Sequence, residues 1–149
     1  MLQNAYHWDS EACGRSLSRC LELDPNSAAG RYEYGMAFLT PLRRLDEARG
    51  WLMEARELDP LSPHILYGLA VNDWCGDRHE FALANARKAV ELEPHFTLGY
   101  WAAIGPLVAL NRWEEADEAI RRAQESCPRV YTAIVESSVR AVKGRLDEA

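Results

Sequence analysis

The sequence predicts an all-α fold, an α-solenoid of stacked antiparallel helix pairs, on three observations. Four prolines recur at near-constant spacing, Pro25, Pro60, Pro94 and Pro128, in steps of 35, 34 and 34 residues. The first three close matching runs, Leu23-Asp24-Pro25, Leu58-Asp59-Pro60 and Leu92-Glu93-Pro94. Between the prolines, small and apolar residues recur in fixed columns. A constant period of this length means one supersecondary unit stacked on copies of itself.

Aligned on the prolines, residues 1–26 form a partial unit missing most of its first helix. Complete units follow at 27–62, 63–96 and 97–130, and 131–149 is a first helix plus the opening of a second. In the second helix of each unit, Ala48, Ala82 and Ala116 share a column, with Cys13 above them. Leu17, Leu52, Ala86 and Ile120 stand four residues on, and Cys20, Ala55, Ala89 and Ala123 another three on. Offsets of four and three lie on one helical stripe, so these are packing positions, and Cys13 and Cys20 read as small buried fillers. Upstream helices pair Tyr34-Gly35, Leu69-Ala70 and Ala103-Ile104. Ser62-Pro63 marks a helix start, a serine cap before proline at the first helical position. Turn signals separate the helices: Thr40-Pro41-Leu42-Arg43-Arg44, Cys75-Gly76-Asp77-Arg78, Leu110-Asn111-Arg112 and Lys143-Gly144-Arg145. The first turn is expected to hold the extra residue of the 35-residue step. Gly105-Pro106 is expected to interrupt the first helix of the third complete unit.

These columns resemble those of the tetratricopeptide repeat (TPR) family over nearly the whole chain. The residues that carry the resemblance are Gly35 and Ala70 in first helices, Asp46-Glu47-Ala48 and Glu114-Glu115-Ala116 opening second helices, and the period itself. Arg31 departs from the aromatic usual in a first helix. The resemblance implies a right-handed superhelix whose first helices line an inner, concave wall.

The chain has 149 residues, 48% hydrophobic and 27% charged, which suits a folded protein with a core. Net charge is −6, and the densest basic clusters are Arg43-Arg44 and Arg121-Arg122, so nucleic acid is not an expected partner. No apolar run approaches the roughly 18 residues of a membrane span. The first residues carry no signal-peptide pattern, so no membrane contact and a cytoplasmic location are expected. Cys13 and Cys20 lie about 10 Å apart along one helix, too far for a disulfide. Catalytic constellations, a glycine-rich phosphate loop and convergent metal ligands are missing, Cys75 and His79 falling short of the roughly four ligands zinc needs. No enzyme activity, cofactor or metal is expected.

The wall implied by the resemblance carries three ladders: Tyr32, Tyr67, Trp101 and Val135; Met36, Val71, Gly105 and Val139; Leu39, Trp74, Val108 and Val142. Several aromatics on an open wall form an apolar patch of the kind that marks a binding surface. TPR domains that clamp a chaperone's C-terminal carboxylate use Lys, Arg and Asn on this wall. Here the matching places hold Tyr32, Met36, Gly68 and Ala102, with His64 and Leu98 one turn earlier, and His64 alone is even weakly cationic. The expected function is a scaffold binding an apolar or amphipathic peptide or neighbouring domain, through Tyr32, Met36, His64, Tyr67, Val71, Trp101, Gly105, Val135 and Val139. The alternative is a spacer or self-assembly unit, a homo-oligomer through uncapped ends, within a larger bacterial multidomain regulator. The Asp59-to-Pro63 run looks like repeats that follow kinase, cyclase or winged-helix domains in bacteria.

Overall fold

Seven α-helices and one π-helical segment make up the computed structural model, which describes residues Ser10–Ser126. The chain divides into two compact units at Pro60–Leu61. In the first, α1 (Ser10–Leu23) is followed by α2 (Ala28–Glu33), which runs on as a π-helix over Tyr34–Leu39, and then by α3 (Leu45–Leu58). In the second, α4 (Pro63–Cys75), α5 (His79–Leu92), α6 (Thr97–Ala109) and α7 (Trp113–Ser126) pack each against the next, and α4 also packs against α6. The expected features on Cys127, Pro128 and residues 131–149 lie outside the described residues.

The alanine columns are the core. Ala48, Ala82 and Ala116 are fully buried, as are Ala55 and Ala89, and Leu52, Ala86 and Ile120 fill the row between them. Small side chains let backbones approach closely. At Gly35 even one methyl is too much, because a Cβ there would stand 2.9 Å from Leu52 Cγ and 3.0 Å from the Ala48 carbonyl oxygen. Cys13 and Cys20 depart from the expected filler role: Cys13 is half-buried and Cys20 exposed. Among the described residues, α1 has no first helix of its own unit beside it, so its outer positions stay open.

The turns between paired helices are built alike. Arg43, Asp77 and Asn111 adopt left-handed backbone with φ of 60°, 58° and 56°. The following amides of Arg44, Arg78 and Arg112 donate to the carbonyls of Leu39, Asp73 and Leu107 at 3.1, 2.8 and 2.9 Å. The amides of Arg43, Asp77 and Asn111 donate to Thr40, Trp74 and Val108. This nested pair of bonds is the Schellman closure of a helix C-terminus. All three turns have the same length, so the extra residue of the 35-residue step is not in the first turn. It sits in the π-helix, where the Thr40 amide reaches back five residues to the Gly35 carbonyl at 2.9 Å. A single π turn absorbs one added residue without breaking the helix. Leu39 is consequently in register with Asp73 and Leu107, not with Trp74 and Val108. It is fully buried, which removes it from the wall ladder.

Gly105-Pro106 does not interrupt its helix: α6 is helical from Thr97 to Ala109. Proline forfeits only its own amide bond to the Ala102 carbonyl. Its ring is almost wholly buried, and its carbonyl still accepts from the Leu110 amide at 3.0 Å.

One position breaks the repeat chemically. The column that holds buried Leu39 and Leu107 holds Asp73 in between, also fully buried. Its carboxylate accepts from Arg78 Nε at 2.8 Å and from Asn85 Nδ2 at 3.3 Å, while Arg78 Nη2 donates to Asn72 Oδ1 at 3.2 Å. Arg44 and Arg112, the counterparts of Arg78, instead pair outward with Glu47 and Glu115 three residues on. At that outward place the middle repeat has Phe81, which is exposed. The acidic partner has moved from the surface into the core and drawn its arginine inward. Removing one member of a buried pair strands the other. Asp73→Ala is therefore expected to cost about 3 kcal/mol by urea denaturation, and Asp73→Leu combined with Arg78→Met to recover most of it. An equal loss in both variants would contradict this assignment.

Candidate functional site

The sequence-predicted wall residues of the second unit sit on two helices that pack together. On α4, His64, Tyr67, Val71 and Trp74 follow offsets of three, four and three, and on α6 the same offsets give Leu98, Trp101, Gly105 and Val108. Residues at these offsets share one helical face. Trp101, Trp74 and Leu98 are 44%, 39% and 39% exposed, too open for core side chains. Val71 and Val108 are half-buried against the core of Ala70, Leu83 and Leu107. No position of the eight is Asp, Glu, Lys or Arg.

Tyr67 belongs to both wall and core. Its ring meets Phe96 edge-on with centroids 6.3 Å apart, and His64 meets Phe96 at 4.8 Å. Burial pushes the Tyr67 phenol above its ordinary value of 10.0, because the charged form loses its hydration. Phe96 itself is buried and escaped the sequence reading. Its signal was present: it occupies the column of Ser27 and Ser62, which cap α2 and α4 by accepting from the amides of Gly30 and Ile65. The third helix of the series gives up that cap bond and gains an aromatic support under His64 and Tyr67.

Trp74 and Gly105 form one contact. A Cβ at Gly105 would lie 2.6 and 2.7 Å from Cε2 and Cζ2 of the Trp74 indole. The glycine thus leaves the space that α4's tryptophan occupies against α6. In the first unit, Tyr32 and Met36 are half-buried on α2 and the π-helix. Arg31, the departure from the usual aromatic, donates to the Pro25 carbonyl and pairs with Glu54 at 3.1 Å. Tyr100, in the same column, makes the equivalent bond to the Pro94 carbonyl at 3.1 Å. Arg31 thus serves its own turn. Val135, Val139 and Val142 lie outside the described residues.

The clamp positions offer no cationic grip: Gly68 and Ala102 are buried and Leu98 is aliphatic. On the other face of α6 a cavity of about 470 Å³ is lined by Leu83, Ala86, Val90, Ala103 and Leu107, with the Arg87–Glu115 pair at its rim. None of the wall residues lines it. No group of three His, Cys, Asp or Glu among the described residues could hold a metal ion. No described helix is long and apolar enough to cross a membrane.

Two glycine substitutions test the Trp74–Gly105 contact. Gly50 in α3 has open space around its would-be Cβ, so Gly50→Ala should gain about 0.5–1 kcal/mol of helix stability. Gly105→Ala should lose about 1–3 kcal/mol, because the methyl displaces the indole. Thermal denaturation reads the signs, and a stabilised Gly105→Ala would refute the contact. For Tyr67, the neutral phenol is favoured in the folded chain. Its contribution is complete below pH 10 and is lost as pH rises through the higher folded value, which ultraviolet titration should show.

No protein-family model matches the chain. Over 67 residues it is 42% identical to a protein of Dictyostelium discoideum named Protein STIP1 homolog, a stretch covering 44% of this chain and 12% of that protein's length. Three solved structures are similar to it in fold. The first TPR of Spaghetti (RPAP3) bound to the HSP90 peptide SRMEEVD has a TM-score of 0.72 at 22% identity, covering 83% of this chain and 96% of that one. A crystal structure of MamA has a TM-score of 0.75 at 19% identity, covering 94% and 82%. YrrB, described as a TPR protein with an unusual peptide-binding site, has a TM-score of 0.70 at 19% identity, covering 91% and 70%. With its 34-residue repeat, its paired helices and these likenesses, the chain has the fold of the tetratricopeptide repeat family.

Proposed function

We propose that this chain is a protein-interaction module that holds an apolar or amphipathic segment of a partner against the face of α4 and α6. The observation that carries the reading is the composition of that face: eight in-register positions without a formal charge, three of them large and well exposed. Exposed apolar area of this kind is stabilised by a cover, and aromatic anchors contribute most of the energy when a partner provides one. His64, Tyr67, Val71, Trp101 and Gly105 are the contact set in the second unit, with Trp74 seated on Gly105. Tyr32 and Met36 hold the matching columns of the first unit, and Val135 and Val139 continue them in the sequence.

Two similar structures carry peptide binding in their descriptions, the HSP90 peptide on RPAP3 and the peptide-binding site of YrrB. The HSP90 peptide ends in Glu-Glu-Val-Asp, an acidic tail, whereas this face has no Lys or Arg to receive one. The partner segment proposed here is therefore neutral where it touches the wall. The role is that of a non-catalytic scaffold, and the cytoplasm is the compartment proposed for it.

Panning random peptides on the immobilised chain tests the reading. Enriched peptides should be apolar or amphipathic, and Tyr67→Ala combined with Trp101→Ala should weaken them by about tenfold or more with helix content unchanged. Enrichment of acidic C-termini, or binding indifferent to the double substitution, would refute it.

A further inference from the structure

We propose that the cavity lined by α5, α6 and α7 binds a free small molecule, a bicyclic aromatic ring that carries a protonated amine. The site is separate from the docking face, since none of the wall residues lines it, and it lies wholly within the second unit.

The first argument is an internal comparison. In the first unit, α1, α2 with its π-helical continuation, and α3 are the counterparts of α5, α6 and α7. Counted from the cap positions Ser27 and Phe96, Tyr34 and Ala103 hold the same place. Counted from the buried alanines Ala48 and Ala116, Trp51 and Ala119 do. In the first unit these two places carry rings that pack together with centroids 4.9 Å apart. In the second they carry two methyl groups, and both alanines line the cavity. The repeat thus makes room for a pair of aromatic rings, and the second unit leaves that room open.

The second argument is size and lining. The cavity has a volume of about 470 Å³. An apolar cavity of ~150 Å³ holds a benzene ring, and small-molecule pockets span about 300–1,000 Å³. A bicycle with a short side chain is therefore accommodated. Leu83, Ala86, Val90 and Leu107 supply apolar lining. Tyr100 lines the cavity too, and its hydroxyl is already engaged with the Pro94 carbonyl at 3.1 Å.

The third is charge. Glu91, Glu114, Glu115 and Glu118 line the cavity against two guanidiniums, Arg87 and Arg122. Arg87 is paired with Glu115, and Arg122 with Glu118 at 2.7 Å, so neither arginine is free to receive an anion. The hydrogen bond from Arg112 holds Glu115 below the usual carboxylate range, and those from Arg121 and Arg122 do the same for Glu118. Both therefore keep their charge at neutral pH. Glu114 makes no ion pair or hydrogen bond among the described residues. It is the acceptor left for an ammonium group, whose three donors a carboxylate receives well.

The test uses the 149-residue chain and three probes, tryptamine, indole-3-propionate and hexylamine, titrated by calorimetry. Tryptamine, with about a dozen heavy atoms, should bind with about millimolar affinity or tighter. It should bind more tightly than the acid with the same ring and than the amine without one. Ala119→Trp, which places the first unit's side chain in the cavity, should weaken tryptamine about tenfold or more by steric exclusion. Glu114→Gln should weaken it about twofold to fivefold, the size of an exposed ion pair. Circular dichroism checks that each variant is folded, and the exposed Glu114 tests the site even if the chain does not accommodate the new tryptophan. If no tryptamine binds, if the acid binds as well as the amine, or if both substitutions are without effect, the inference is overturned. If Trp101→Ala abolishes binding, the ligand sits on the wall, and the inference falls while the docking face stands. A dimer in sedimentation that Ala119→Trp disperses would also overturn it, since a second copy then fills the cavity.

Discussion

Everything in this molecule is phased by one backbone device, the pair of nested hydrogen bonds that ends each first helix. The bonds from Arg44 to Leu39, from Arg78 to Asp73 and from Arg112 to Leu107 each span five residues around a left-handed residue. That geometry sets where the second helix starts, and hence which residues meet the first. With the turn length fixed, the alanine columns fall opposite small residues and glycines, and the wall columns fall away from them. A turn one residue longer would rotate the second helix by about 100° relative to its partner. Ala48 would then no longer face Gly35.

Much of this was legible in the amino-acid sequence, because burial and the helical period leave a mark at fixed offsets. The alanine columns and the Ser62 cap stand where spacing puts them, and Trp74 and Trp101 are exposed on the helices that the family resemblance assigned to the wall. What escaped was what the period cannot carry. The 35-residue step shows that one residue is added but not where, since a turn and a π-helix absorb it equally well in a count. Gly76 advertises the left-handed position, yet Asp77 takes it and Gly76 has φ of −100°. Asp73 precedes the Cys75-Gly76-Asp77-Arg78 turn signal, and only the fixed turn reveals that it occupies a leucine's place. Proline inside a helix reads as a break, but its burial and the intact bond to Leu110 let α6 continue.

The face of α4 and α6 follows from the same phasing. Both helices are apolar almost all round, and a helix of that kind is ordinarily buried on every side. Here one side meets α5, or α5 and α7, and the other carries Trp74, Leu98 and Trp101 at substantial exposure. The first unit differs: Arg31 and Glu54 pair at its surface, and Tyr34 packs with Phe38 and Trp51 inside the unit at centroid distances of 5.2 and 4.9 Å. In the second unit Phe96 packs against His64 and Tyr67, while Trp74 and Trp101 remain substantially exposed.

The π turn between Tyr34 and Leu39 divides a single continuous rod into two frames. Residues before it keep step with the serine cap at Ser27, and residues after it keep step with the closure at Arg44. Chemically the repeat is therefore not the unit of equivalence; the cap and the closure are, each with its own count. Swapping one repeat for another in this chain would succeed only if the exchanged piece brought both reference points with the number of residues between them. A graft cut to the shorter 34-residue length would meet one frame and miss the other by a quarter-turn or so of helix.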